Sequence, residues 1–100
     1  NWTMDAQSIN IEIAGRNFNA IVTGEANEEM RITIETVTNR TLELVLKLMD
    51  QYNIPIENVL GHYQVLDGKV DPGDIWLQEY FLPKLRDKLK DNNFQNRLYE

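Results

Sequence analysis

The stretch Ser8-Ile9-Asn10-Ile11-Glu12-Ile13-Ala14-Gly15 alternates polar and apolar residues with a period of two. Successive side chains of an extended chain point to opposite faces, so this pattern predicts a half-buried strand. Ile9, Ile11 and Ile13 share the face expected to pack on a core. Ser8, Asn10 and Glu12 share the other, and Gly15 ends the run. Residues 20–23 (Ala-Ile-Val-Thr) and 30–33 (Met-Arg-Ile-Thr) carry further strand character, separated by a polar loop from Gly24 to Glu29.

Outward from there the period changes. From about Ile34 to Tyr52, the residues Val37, Thr41, Leu44, Val45, Leu48, Met49 and Tyr52 recur at i, i+3, i+4 and predict an amphipathic helix. Thr33 is its expected N-cap, with Glu35 near the positive end. Asn53 follows the last stripe residue, and Pro55 stops the helix. Val59-Leu60 reads as a short buried strand. Leu77, Phe81, Leu85 and Leu89 predict a last helix, which Pro83 either kinks or divides, then standing in the first turn of a second piece. Strands alternating with amphipathic helices imply a mixed α/β domain, a central β-sheet flanked by helices. Residues 1–91 form the expected domain, and 92–100 a polar tail.

Composition narrows the function. The chain has 100 residues, 42% apolar and 26% charged, enough for one small domain. Asp and Glu number 16 against 10 Lys and Arg, for a net charge of −6. Such a surface repels phosphate backbones and argues against a general nucleic-acid binder. No apolar stretch approaches the about 20 residues of a membrane span. No basic segment followed by an apolar run marks an export signal. Location stays open between the cell wall or periplasm and the cytoplasm. The absence of cysteine excludes disulfides, thiolate metal sites and cysteine nucleophiles. His62 is the only histidine, so no two-histidine metal site can be completed from this chain alone.

The chemistry concentrates in Gly61-His62-Tyr63-Gln64-Val65-Leu66-Asp67-Gly68-Lys69-Val70-Asp71-Pro72-Gly73. Asp67-Gly68 can reverse the chain and return the stretch from Lys69 towards His62. Asp71 precedes a proline and is biased to extended backbone. Lys69 and Asp71, two apart, are then expected on one side. An imidazole, an ammonium and a carboxylate converge. Neutral His and ionised Asp suit Zn²⁺, and a nearby Lys can stabilise developing negative charge.

This run, GH…GK.DPG, resembles the zinc-dependent N-acetylmuramoyl-L-alanine amidases of the type-2 amidase and peptidoglycan-recognition superfamily. Residues 8–15 are similar to that family's S-I-G-I-E strand, and Tyr52-Asn53-Ile54-Pro55 to the helix end before its second histidine ligand. The three matches fall in the family's order over about residues 1–82. The resemblance implies the family's sheet-based fold without its N-terminal part. It also implies hydrolysis of the amide between N-acetylmuramic acid and L-alanine, with peptidoglycan or a muropeptide as partner. By it, His62 and Asp71 match two zinc ligands. Lys69 matches the oxyanion-stabilising lysine, and Glu12 the glutamate that activates water. The family's first ligand, an early histidine, has no counterpart here; an upstream segment or a partner chain is expected to supply it. Asp67 stands near a position that is usually Pro, a mild change in a turn.

Each residue also has a simpler reading. A lone histidine is more often a hydrogen-bonded residue than a ligand. Glu12 fits the solvated side of a strand, and Lys69 with Asp71 a surface ion pair worth about 0–1 kcal/mol. Tyr63 and Trp76 flank the run and suit either a glycan or peptide groove, or aromatic core packing. Two alternatives to the amidase follow: a non-catalytic peptidoglycan-binding module, or an incomplete domain that needs a partner segment for zinc.

Overall fold

A computed structural model describes residues 8–99 of the chain, with side chains through Asp91. Its helices are α1 (Ala20–Thr23), α2 (Glu28–Tyr52), α3 (His62–Val65) and α4 (Leu82–Tyr99). A 3₁₀ turn (Ile56–Asn58) lies between α2 and α3, and a π-helical turn (Trp76–Phe81) runs directly into α4. Among the described residues there is no strand and no sheet. The expected mixed α/β architecture with a central β-sheet is therefore corrected to an all-helical one.

The reason lies in where backbone hydrogen bonds can be found. A helix satisfies its own N–H and C=O groups, whereas a strand needs a second strand. Residues 8–15 keep their period-two pattern but have no partner strand among the described residues. Ile9 and Ile11 lie exposed, and only Ile13 packs against the core. Residues 20–23 close a single helical turn instead of a strand. Gly24 caps it in the left-handed conformation at φ 86°, its N–H donating to the Ala20 carbonyl. Val59-Leu60 is likewise no buried strand: the Val59 N–H closes the 3₁₀ turn on Ile56, and Leu60 is exposed.

α2 begins earlier than the expected Thr33. Asn27 is the N-cap, its side-chain oxygen accepting from the Met30 N–H at 2.9 Å, with Glu28 and Glu29 in the first turn. That is the acidic start a helix dipole favours. Thr33 sits inside the helix and returns its hydroxyl to the Glu29 carbonyl. At the far end Asn53 takes the left-handed conformation, φ 55°, and its N–H donates to Met49. The buried stripe is Ile34, Thr38, Leu42, Val45 and Met49. It is rotated from the expected one, so Leu44 and Tyr52 face solvent.

Pro83 explains the wide turn ahead of α4. It has no N–H to give the carbonyl four residues back, and its ring crowds that carbonyl. The chain accommodates this with i→i−5 bonding, the Leu82 N–H donating to Leu77, and Pro83 falls in the first turn of α4. The turn places Trp76, Leu77 and Phe81 inward together. Trp76 stacks between Phe18 at 5.4 Å and Phe81 at 4.9 Å between ring centroids. Its indole N–H donates to the Thr38 hydroxyl at 3.1 Å, and Thr38 donates to the Ile34 carbonyl at 2.6 Å. Leu85, fully buried, completes the contact of α4 with α2. The molecule is only 18 Å across its short axis. That is under two helix diameters, so the core is a single seam between α2 and the Trp76–Leu85 segment.

Candidate functional site

His62 opens α3, directly after Gly61, and Asp71 lies on the arm that returns after a reversal at Asp67-Gly68. The Lys69 N–H donates to the Leu66 carbonyl at 3.3 Å across that reversal. The Tyr63 N–H donates to the Asp71 carbonyl at 3.2 Å, which ties the returning arm to the first turn of α3. His62 Nδ1 and Asp71 Oδ2 then stand 3.2 Å apart, their side chains 43% and 65% exposed. With a proton on Nδ1 this is a hydrogen bond. Without one, two lone-pair donors converge on the same solvent-facing point. The separation is that of a hydrogen bond; two ligands at about 2.1 Å from a tetrahedral zinc ion would stand about 3.4 Å apart.

Gly61 has a steric reason to stand before His62. A Cβ there would lie 2.5 Å from the Tyr63 ring and 3.1 Å from a Leu77 methyl. Its N–H donates to the Gln64 side chain at 2.7 Å, holding the start of α3. Tyr63 is half-buried, and its hydroxyl accepts from Gln78 Nε2 at 3.1 Å. Beside it, Ile56, Val59, Leu60, Gln64, Gln78 and Leu82 line an open surface groove of about 360 Å³.

The remaining expected residues are placed differently. Lys69 is exposed and its ammonium makes no ion pair with Asp71. Glu12 lies exposed on the irregular segment 8–15 and forms no hydrogen bond or ion pair among the described residues. Trp76 is 1% exposed and belongs to the core, so it lines no groove. Among the described residues no group of three or more His, Asp or Glu side chains is gathered for a metal. The structure brings together two of the expected ligands, while Lys69 and Glu12 are exposed and make no ion pair among the described residues.

Sequence reasoning passed over Asn19. Its side-chain oxygen accepts from the Trp76 N–H at 2.8 Å, and its amide donates to Asp74 at 3.1 Å. These contacts span 57 and 55 residues, and nothing local in the sequence marks them. Along α2, Arg31 pairs with Glu28 and, at 2.9 Å, with Glu35. The guanidinium holds the Glu28 carboxyl below its usual range through a hydrogen bond and charge attraction. Lys84 lies 4.7 Å over the Tyr80 ring. Burial, then the nearby Glu35 charge, pushes the Tyr80 phenol upward.

No family model, curated protein or solved structure matches the chain.

Proposed function

We propose that the chain acts with the zinc-dependent N-acetylmuramoyl-L-alanine amidases, and that His62 and Asp71 are two of its zinc ligands. The observation that carries this reading is the 3.2 Å approach of His62 Nδ1 to Asp71 Oδ2 on an exposed loop. It occurs inside the run whose glycines, lysine and Asp-Pro-Gly resemble that family's metal segment. The donor set fits zinc in type, a neutral imidazole nitrogen with a carboxylate oxygen. A further protein ligand is required from outside this pair. When bound, zinc lowers the pKa of water towards about 7 and polarises the scissile carbonyl.

The chain's own residues do the rest. His62 and Asp71 would hold the ion at the base of the Asp67-Gly68 reversal, where the Tyr63–Asp71 backbone bond keeps the two arms in register. Glu12 takes the proton of the attacking water and passes it to the departing alanyl amine. Lys69 places its ammonium against the negative charge that develops on the carbonyl oxygen. Glu12 and Lys69 are exposed, and neither side chain is engaged in an ion pair among the described residues, so both are available to substrate. The substrate class and the roles of Glu12 and Lys69 come from the resemblance.

The test is to load the chain with zinc and follow release of the alanyl amine from an N-acetylmuramoyl-L-alanyl peptide. With the further ligand supplied by an upstream segment or a partner chain, wild type takes up zinc and turns over. Asp71→Ala and His62→Ala lose both properties. Glu12→Gln keeps the ion and loses turnover, and Lys69→Ala lowers kcat by about 10²–10³, the scale of a lost oxyanion donor. Zinc uptake unaffected by Asp71→Ala and His62→Ala removes the reading. Muropeptide affinity with no metal uptake replaces it with a binding module.

A further inference from the structure

We infer that Asn19 is the positioning residue of the His62–Asp71 loop, fixing the Asp71 arm from the opposite end of the chain. Three observations meet at this side chain. Its oxygen accepts from the Trp76 N–H at 2.8 Å. Its amide donates to the Asp74 carboxylate at 3.1 Å. The same oxygen lies 2.6 Å from where a Cβ on Gly73 would stand, and Gly73 holds φ 119°, open to glycine. Asn19 therefore bonds the Trp76 backbone and the Asp74 side chain and lies over Gly73, within a segment that begins two positions after Asp71.

The grip runs from core to loop. Trp76 is locked by Phe18, Phe81 and Thr38. The Leu77 N–H donates to the Gly73 carbonyl at 2.9 Å, which ties residue 73 to the π-helical turn. From that anchor the chain reaches Asp71, whose carbonyl takes the Tyr63 N–H and whose carboxylate meets His62. Without Asn19 the loop keeps its own short bonds but loses both hydrogen bonds that tie residues 74 and 76 to the residue preceding α1. The Asp71 arm is then held only by the Tyr63 and His62 contacts, and the loop opens more often.

Two readouts test this, one of which does not depend on the zinc reading. Trypsin cuts after Lys69 when the loop opens and after Lys47 when α2 unfolds, so the ratio of the two initial rates reports the loop alone. Asn19→Ala raises that ratio by about five- to tenfold, the range of losing one or two hydrogen bonds. Zinc affinity of the chain falls by a similar factor. The reciprocal pair Asn19→Asp with Asp74→Asn keeps an acceptor for Trp76 and a donor–acceptor pair between positions 19 and 74, and restores both readouts. Asp74→Ala leaves the Trp76 bond intact and gives a smaller rise, which decides the matter if Asn19→Ala fails to fold. A ratio within about twofold of wild type in both single variants overturns the inference, as does a raised ratio that the reciprocal pair leaves raised. If wild type takes up no zinc, the metal reading falls, and the proteolysis ratio still judges Asn19.

Discussion

Replacing Thr38 by valine isolates the one polar link inside the core. The two side chains have nearly the same shape, so the change removes a hydroxyl and opens no cavity. Thr38 and Trp76 are each 1% exposed, and the indole N–H has the Thr38 oxygen as its partner at 3.1 Å. Thr38→Val strands that N–H in a site water does not reach. An unsatisfied buried donor costs about 1–3 kcal/mol, offset in part by the added methyl group. The Ile34 carbonyl keeps the backbone N–H bond of its own helix, so it adds little. A net loss of about 1–2 kcal/mol is expected. With a urea slope of about 1 kcal/mol/M, the unfolding midpoint falls by about 1–2 M. The control is Trp76→Phe, which has no N–H to strand. In that background Thr38→Val costs less than about 0.5 kcal/mol, since the cycle cancels the volume lost with the indole. Equal costs in both backgrounds, or no cost in wild type, would refute the role assigned to this bond.

Three further outcomes follow from the geometry. Asn27→Ala removes the cap oxygen from Met30 and lowers stability by about 1 kcal/mol, read as a lower melting temperature of the helical signal. Gly61→Ala forces a Cβ to within 2.5 Å of the Tyr63 ring and costs about 1–3 kcal/mol; a melting temperature equal to wild type contradicts the close packing there. Tyr80 has its folded pKa raised above 10.0, so its contribution to stability is full below the unfolded value and is lost as pH rises through the folded one. The difference in tyrosinate absorbance between wild type and Tyr80→Phe should titrate above pH 10.0, and the variant should lose part of the alkaline loss of stability.

What the residues reveal locally, they reveal well. Asn53 and Pro55 end α2 because a left-handed cap followed by a proline admits no further helical turn. Asp67-Gly68 and the Asp71-Pro72-Gly73 segment bring His62 and Asp71 together through turn chemistry legible in the sequence. The failures are partly local, as at residues 20–23 and Asn27, and partly non-local. The Ser8–Gly15 alternation states which side chains would share a face, but not that a second strand exists to accept its hydrogen bonds. Asn27-Glu28-Glu29 is a helix start that the β-branched Ile32 and Thr33 obscured, and starting at Thr33 also turned the buried stripe by part of a turn. Trp76 was open to both a groove and a core reading because an aromatic beside a motif looks the same in either. Its partner Thr38 lies 38 residues away, and that contact places it inside. Asn19 has no sequence signature, since its work is done across 55 and 57 residues.

The central claim is that His62 and Asp71 ligate one ion. X-ray absorption at the zinc edge of the loaded chain tests this without relying on turnover. The account predicts one imidazole shell at about 2.0–2.1 Å that disappears in His62→Ala, and an oxygen shell that changes in Asp71→Ala. A spectrum of water oxygens alone, identical in wild type and both variants, would contradict it.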